Sequence, residues 1–184
     1  MTTDAGKVAE DVHAATSMSL DPDLRKAFLG KMRLVPGAVA IVAACDGSER
    51  SGLAATAWNS LCADPPMLLA CVNRTASAYP IVLRAKAFSI NLLAASHSET
   101  VAIFSKQRGL EGAARFLPDQ WSDGPLGQPM LRSALVSFEC SLEGAHDYGT
   151  HTILIGRVGD MASQDAETAM LYLDGCFASA VRAL

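Results

Sequence analysis

Gly52-Leu53-Ala54-Ala55-Thr56-Ala57-Trp58-Asn59-Ser60-Leu61-Cys62-Ala63-Asp64-Pro65-Pro66-Met67 places small and hydroxyl side chains on a stretch that breaks at Asp-Pro-Pro. Side chains this small let a flat ring lie against backbone. Upstream, Ala38-Val39-Ala40-Ile41-Val42-Ala43-Ala44 and a polar turn at Asp46-Gly47-Ser48 complete a hairpin with a strand expected over residues 51–58. Downstream, residues 67–72 form an apolar third strand. The paired prolines fix its entry, where no N–H partner is needed.

The rest of the chain continues this pattern. Asp21-Pro22 reads as a helix start, since Asp suits the N-cap and Pro the first helical position. Leu24, Phe28 and Met32 at spacing four give that helix an apolar face, and it is expected to end before Pro36-Gly37. A short helix is expected within 78–87, a strand over 88–93, and another helix after Ser96-x-x-Glu99, which has capping-box spacing. Residues 107–130 are rich in Gly and Pro, carry Phe116 and Trp121, and read as a long loop over a site. Val136, Phe138, Cys140 and Leu142 alternate with Ser137, Glu139, Ser141 and Glu143, which predicts a strand with one buried and one wet face. A return strand over 150–158 and an edge strand over 170–173 complete the reading. The fold class expected is mainly β: an antiparallel barrel with helices outside. No Gly-x-Gly-x-x-Gly turn and no phosphate-binding Gly-x-x-x-x-Gly-Lys-Ser/Thr loop occurs, so a doubly wound sheet is the weaker reading.

Composition bounds the function. With 184 residues, half of them hydrophobic, the chain is expected to hold a mobile tail over 1–20 and a single domain over 21–184. A net charge of -4 with scattered Lys and Arg argues against a nucleic-acid surface. The apolar runs fall well short of the roughly 20 residues that span a bilayer. The N-terminus has neither a basic start nor an apolar signal core, and a cytoplasmic protein is expected. The five cysteines form no Cys-x-x-Cys pair and the four histidines share no ligand spacing, so no metal is expected.

A ring cofactor with a phosphate tail needs donors at the ring edge, an apolar face, and a cation or hydroxyls for the phosphate. Residues 55–60 offer backbone N–H groups, the hydroxyls of Thr56 and Ser60, and the surface of Trp58. Arg74 and Ser77 suit a phosphate, and Asn73 and Asn91 stand at or beside strand ends. Taken singly, each also fits a plain half-buried strand or turn position.

Together with Tyr148-Gly149-Thr150-His151, these segments resemble the flavin reductase-like domain of the 4-hydroxyphenylacetate 3-monooxygenase reductase type, over nearly everything after Phe28. The resemblance implies a split-barrel homodimer that binds FMN or FAD near the subunit interface and reduces it with NADH or NADPH. It also implies that the reduced flavin leaves for a separate monooxygenase. It places Ala55, Thr56, Ala57, Asn59 and Ser60 along the ring and ribityl chain, Asn73, Arg74 and Ser77 toward the phosphate, Asn91 in support, and His151 near the flavin or nicotinamide. Two departures stand out. Leu171-Tyr172-Leu173-Asp174-Gly175-Cys176-Phe177 replaces an aromatic and basic run common in relatives, and Ala54 and Trp58 replace other small or polar residues. Hydride transfer between cofactors needs no protein nucleophile. Two alternatives stay open: a split-barrel FMN oxidoreductase acting directly on an organic substrate, and a flavin-binding protein without catalysis.

Overall fold

The structure, a computed structural model, describes residues 21–164 and 168–180. The tail expected over 1–20 lies outside them. The chain divides into two compact units between Val35 and Pro36. In the first, α1 (Pro22–Met32) begins as expected: the Asp21 carboxylate accepts from the Asp23 N–H at 2.9 Å, and Pro22 takes the first helical position.

The second unit is built on strands. A seven-stranded antiparallel sheet runs in the order β3 (Arg50–Ala55), β2 (Ala40–Cys45), β6 (Ala87–Leu92), β9 (Val136–Tyr148), β10 (His151–Ser163), β5 (Pro66–Asn73), β4 (Trp58–Ala63). A smaller sheet takes β1 (Gly37–Ala38), β11 (Met170–Leu173) and β12 (Cys176–Ser179), and β7 (Trp121–Asp123) pairs with β8 (Pro129–Leu131). Helices α2 (Tyr79–Ala85) and α3 (Ser98–Phe104) flank the strands. Hydrogen bonding among the described residues does not close the large sheet into the expected barrel, because β3 and β4 stand at opposite edges of it.

Strand β2 explains how one sheet carries two cores. Its side chains alternate, and both faces are covered, so it reads as a continuous apolar run. Ala40, Val42 and Ala44 join Val72, Phe88, Ile90 and Leu154 in one cluster. Ile41 and Ala43 join Leu93, Phe104, Trp121 and Leu131 in the other. In the second cluster Phe104, Phe116 and Trp121 meet with ring centroids 4.9 to 5.5 Å apart. Gly52 makes room for this packing, since a Cβ there would lie 2.7 Å from the Phe104 ring.

Several expectations need correction. The strand foreseen over 51–58 is two strands, broken at Thr56-Ala57. The capping box does not form: α3 starts at Ser98, and the Glu99 carboxylate accepts from Arg108 at 2.7 and 2.8 Å. The loop 107–130 contains a short 3-10 helix (Gly112–Arg115) and strand β7. β11 is the middle strand of its sheet, not an edge. The largest correction concerns β9: Ser137 and Glu139, expected on a wet face, are buried. Residues 124–131 cover that face, and the Glu139 carboxylate accepts the N–H groups of Leu126 and Gln128, both at 2.9 Å. Burial, and then the Glu139 charge, pushes the neighbouring Cys140 thiol up to about 12, which leaves it a core hydrophobe.

Candidate functional site

The break at Thr56-Ala57 creates the site. Ala55 ends β3 opposite Ala40, the Ala57 carbonyl accepts from the Cys71 N–H at 2.8 Å, and Trp58 starts β4 opposite Ala70. The chain therefore crosses from one edge of the sheet to the other in two residues. Two contacts pin this corner. The Trp58 indole N–H donates to the Ala38 carbonyl at 2.9 Å, and Gly37 packs so close that a Cβ would sit 2.7 Å from the Thr56 Cβ. Trp58 also packs against the first core cluster, so its ring is partly buried there rather than fully offered to a ligand.

Over this corner lies a cleft of about 370 Å³, lined by Ala54, Ala55, Thr56, Gln107, Tyr172 and Phe177 among others. The Ala side chains keep its floor flat, and the Thr56 side chain is exposed beside them. Ala57, Asn59 and Ser60 are also exposed; the Asn59 carboxamide oxygen accepts its neighbour Ser60 N–H at 2.8 Å.

A second group of expected residues meets at the end of β5. His151 pairs in register with Asn73, and the Arg74 N–H donates to the Thr150 carbonyl at 3.1 Å. The Asn73 carboxamide oxygen caps the turn by accepting from the N–H and hydroxyl of Thr75, both at 2.9 Å. Arg74 is an exposed cation held by the β9–β10 turn: it pairs with Asp147 at 3.1 Å and donates to the Gly149 carbonyl. The Thr152 hydroxyl first, and Arg74 with it, hold the Asp147 carboxyl below its ordinary value. His151 is exposed, with Nδ1 2.9 Å from the Thr150 hydroxyl. Asn73 lies two residues beyond Cys71, roughly 7 Å along the strand.

Ser77 and Asn91 do not join these groups. The Ser77 hydroxyl lies 2.8 Å from that of Ser51, in a separate cleft of about 630 Å³ that Arg50 also lines. Asn91 is wholly buried and serves the fold. Its amide donates to the Ile41 and Pro129 carbonyls and the Ser89 hydroxyl, and its oxygen accepts from the Leu131 N–H and the Ser137 hydroxyl. Every polar atom of its side chain is used inside the protein.

A flat floor, an exposed hydroxyl beside it and an exposed guanidinium farther along fit a ring cofactor with an anionic tail. Residues 32–180 match the family described as Flavin reductase like domain. The chain belongs to that family. It is 39% identical over 168 residues to FMN reductase (NADH) RutF of Agrobacterium fabrum, covering 91% of this chain and 92% of the relative. It is 29% identical to HsaB, the reductase subunit of a flavin-dependent monooxygenase of Rhodococcus jostii, covering 88% and 80%. The Streptomyces globisporus NADH:FAD oxidoreductase SgcE6, solved with NAD and FAD fragments, superposes with a TM-score of 0.76 at 25% identity, covering 88% and 96%.

The family resemblance names Tyr172 and Phe177 only within the departing run 171–177, and does not name Gln107 or Asp147. The Asp174-Gly175 turn between the two aromatics is a hairpin signal that puts them side by side. Gln107 and Asp147 carried no local signal, because only the packing of α3 and the β9–β10 turn brings them there.

Proposed function

We propose that this protein is an NAD(P)H-dependent flavin reductase that supplies reduced FMN or FAD to a separate monooxygenase. The observation that carries this reading is the flat, small-residue corner at 54–57 beside an open cleft, in a chain of this family. Bound flavin would take a hydride from the nicotinamide. The protein's part is to bind and orient. Ala55, Thr56 and Ala57 would seat the ring, with Asn59 and Ser60 along the ribityl chain. Asn73 and Arg74 would hold the phosphate. For that, Arg74 would turn from Asp147 to the phosphate, an exchange of one exposed anion for another. His151, tied to Thr150, would stand at the ring edge as a hydrogen-bonding group.

The open sheet is read as a split barrel, because its two edge strands are consecutive and joined by only two residues. A cytoplasmic homodimer is proposed on the same family resemblance; among the described residues no helix is long and apolar enough to cross a membrane. The test is oxidation of NADH and NADPH at 340 nm with FMN, FAD or no added flavin. Turnover that depends on free flavin is expected. Absence of turnover with flavin bound overturns the reading. His151→Ala is expected to lower turnover or nicotinamide affinity, and unchanged kinetics would remove His151 from the site.

A further inference from the structure

Asp147 is an anion that the fold holds in place. It lies near the end of β9, in register opposite Thr152 of β10, and Thr152 is wholly buried. The Thr152 hydroxyl donates to Asp147 Oδ1, and the Tyr79 hydroxyl at the start of α2 reaches the same carboxyl. The carboxylate is therefore tethered from two elements. It is charged at neutral pH, because Thr152 first, and Arg74 with it, hold the carboxyl below its ordinary value.

Arg74 is held differently. Its backbone is pinned, since its N–H donates to the Thr150 carbonyl at 3.1 Å, but its side chain is exposed and can swing. Nη1 meets Asp147 Oδ2 at 3.1 Å, and Nη2 donates to the Gly149 carbonyl. These two terminal nitrogens form the fork that grips two oxygens of one phosphate, and both are engaged. A phosphate takes that fork only when Arg74 leaves Asp147, and it then stands near a carboxylate whose tethers keep it from following. Two anions so placed repel each other. This rests on the reading of Arg74 as the phosphate-binding cation: we infer that Asp147 competes with the flavin phosphate for Arg74, and so sets how readily flavin is released. Asp147 touches no flavin atom in this scheme and is a positioning residue that acts through Arg74. A reductase whose product must leave for a separate protein needs such a limit, since tight retention would block transfer.

Asp147→Asn isolates the charge: the carboxamide has nearly the same shape, its oxygen can still accept from Thr152, and its NH2 group offers Arg74 no acceptor. The test is equilibrium titration of the full chain, read by flavin fluorescence, with FMN and with riboflavin, which lacks the phosphate. Asp147→Asn is expected to bind FMN about fivefold more tightly, with riboflavin affinity within about twofold of wild type. Added to Arg74→Ala, which itself weakens FMN, the same substitution should change FMN affinity by less than about twofold. Circular dichroism checks each fold, and should Asp147→Asn unfold, Asp147→Ala read in the same way decides. FMN affinity that is unchanged or weaker in Asp147→Asn, equal tightening of riboflavin, or a gain that survives without Arg74 overturns the inference. Arg74→Ala that leaves FMN affinity unchanged would instead remove Arg74 from the phosphate, and the competition with it. Wild type that binds FMN but oxidises neither NADH nor NADPH would sink the reductase reading alone.

Discussion

Asn73 and Asn91 stand at strand ends eighteen positions apart and carry the same carboxamide, yet they do opposite work. Asn91 lies buried on β6 beside β9, where Ser89, Ser137, Glu139 and Gln128 also sit buried and hydrogen-bonded. Asn73 caps an open turn beside Arg74 and His151, where several side chains remain in water. In the first region every polar atom already has a protein partner, so it can recognise nothing else; in the second, partners are few and exchangeable. Burial with full satisfaction marks structure, and exposure with loose pairing marks a binding surface.

The largest effect should come from the buried region. Asn91→Ala strips partners from the Leu131 N–H, the Pro129 carbonyl and the Ser137 hydroxyl at once. It should cost on the order of 3 kcal/mol in chemical denaturation, against about 0.5 kcal/mol for Asn73→Ala. Equal losses would erase the contrast.

Arg74→Ala reverses the pattern. Its ion pair with Asp147 is exposed, so the melting temperature should move little. Loss of a charge-assisted contact should raise the flavin dissociation constant about tenfold. A falling melting temperature with unchanged flavin affinity would place Arg74 with the structural residues.

The smallest effect concerns pH. The Asp147 carboxyl is held below its ordinary value of 3.8, first by Thr152 and then by Arg74. A depressed carboxyl contributes stability that is present above the unfolded value and is lost as pH falls through the lower folded one. The turn should therefore be unaffected from pH 8 to 5 on Asp147's account and loosen only below about pH 4. Carboxyl chemical shifts followed by NMR would show it, and a midpoint at or above 3.8 would mean the clamp is absent in solution.

The same contrast explains what could be read from the residues. The β2–β3 hairpin, β5 and the Asp21-Pro22 helix start were legible because each signal is local: an apolar run, a turn dipeptide, a cap. The failures at β9 have a common cause. Alternation reports which side chains are polar, not whether a distant segment covers them, and residues 124–131 cover Ser137 and Glu139. Thr56-Ala57 was read inside a strand because its composition is that of a strand; the break comes from the chain leaving one sheet edge for the other.

Sequence alone determined the mainly β class, the run of small residues that can take a flat ring, and membership of the family, because those depend on residue type and short spacing. Tertiary structure alone decided that Asn91 and Glu139 belong to a buried network, that Ser77 lies in a separate cleft, and that Tyr172, Phe177 and Gln107 face the corner. Those assignments depend on contacts between segments dozens of residues apart, and no local pattern encodes which polar group will be covered.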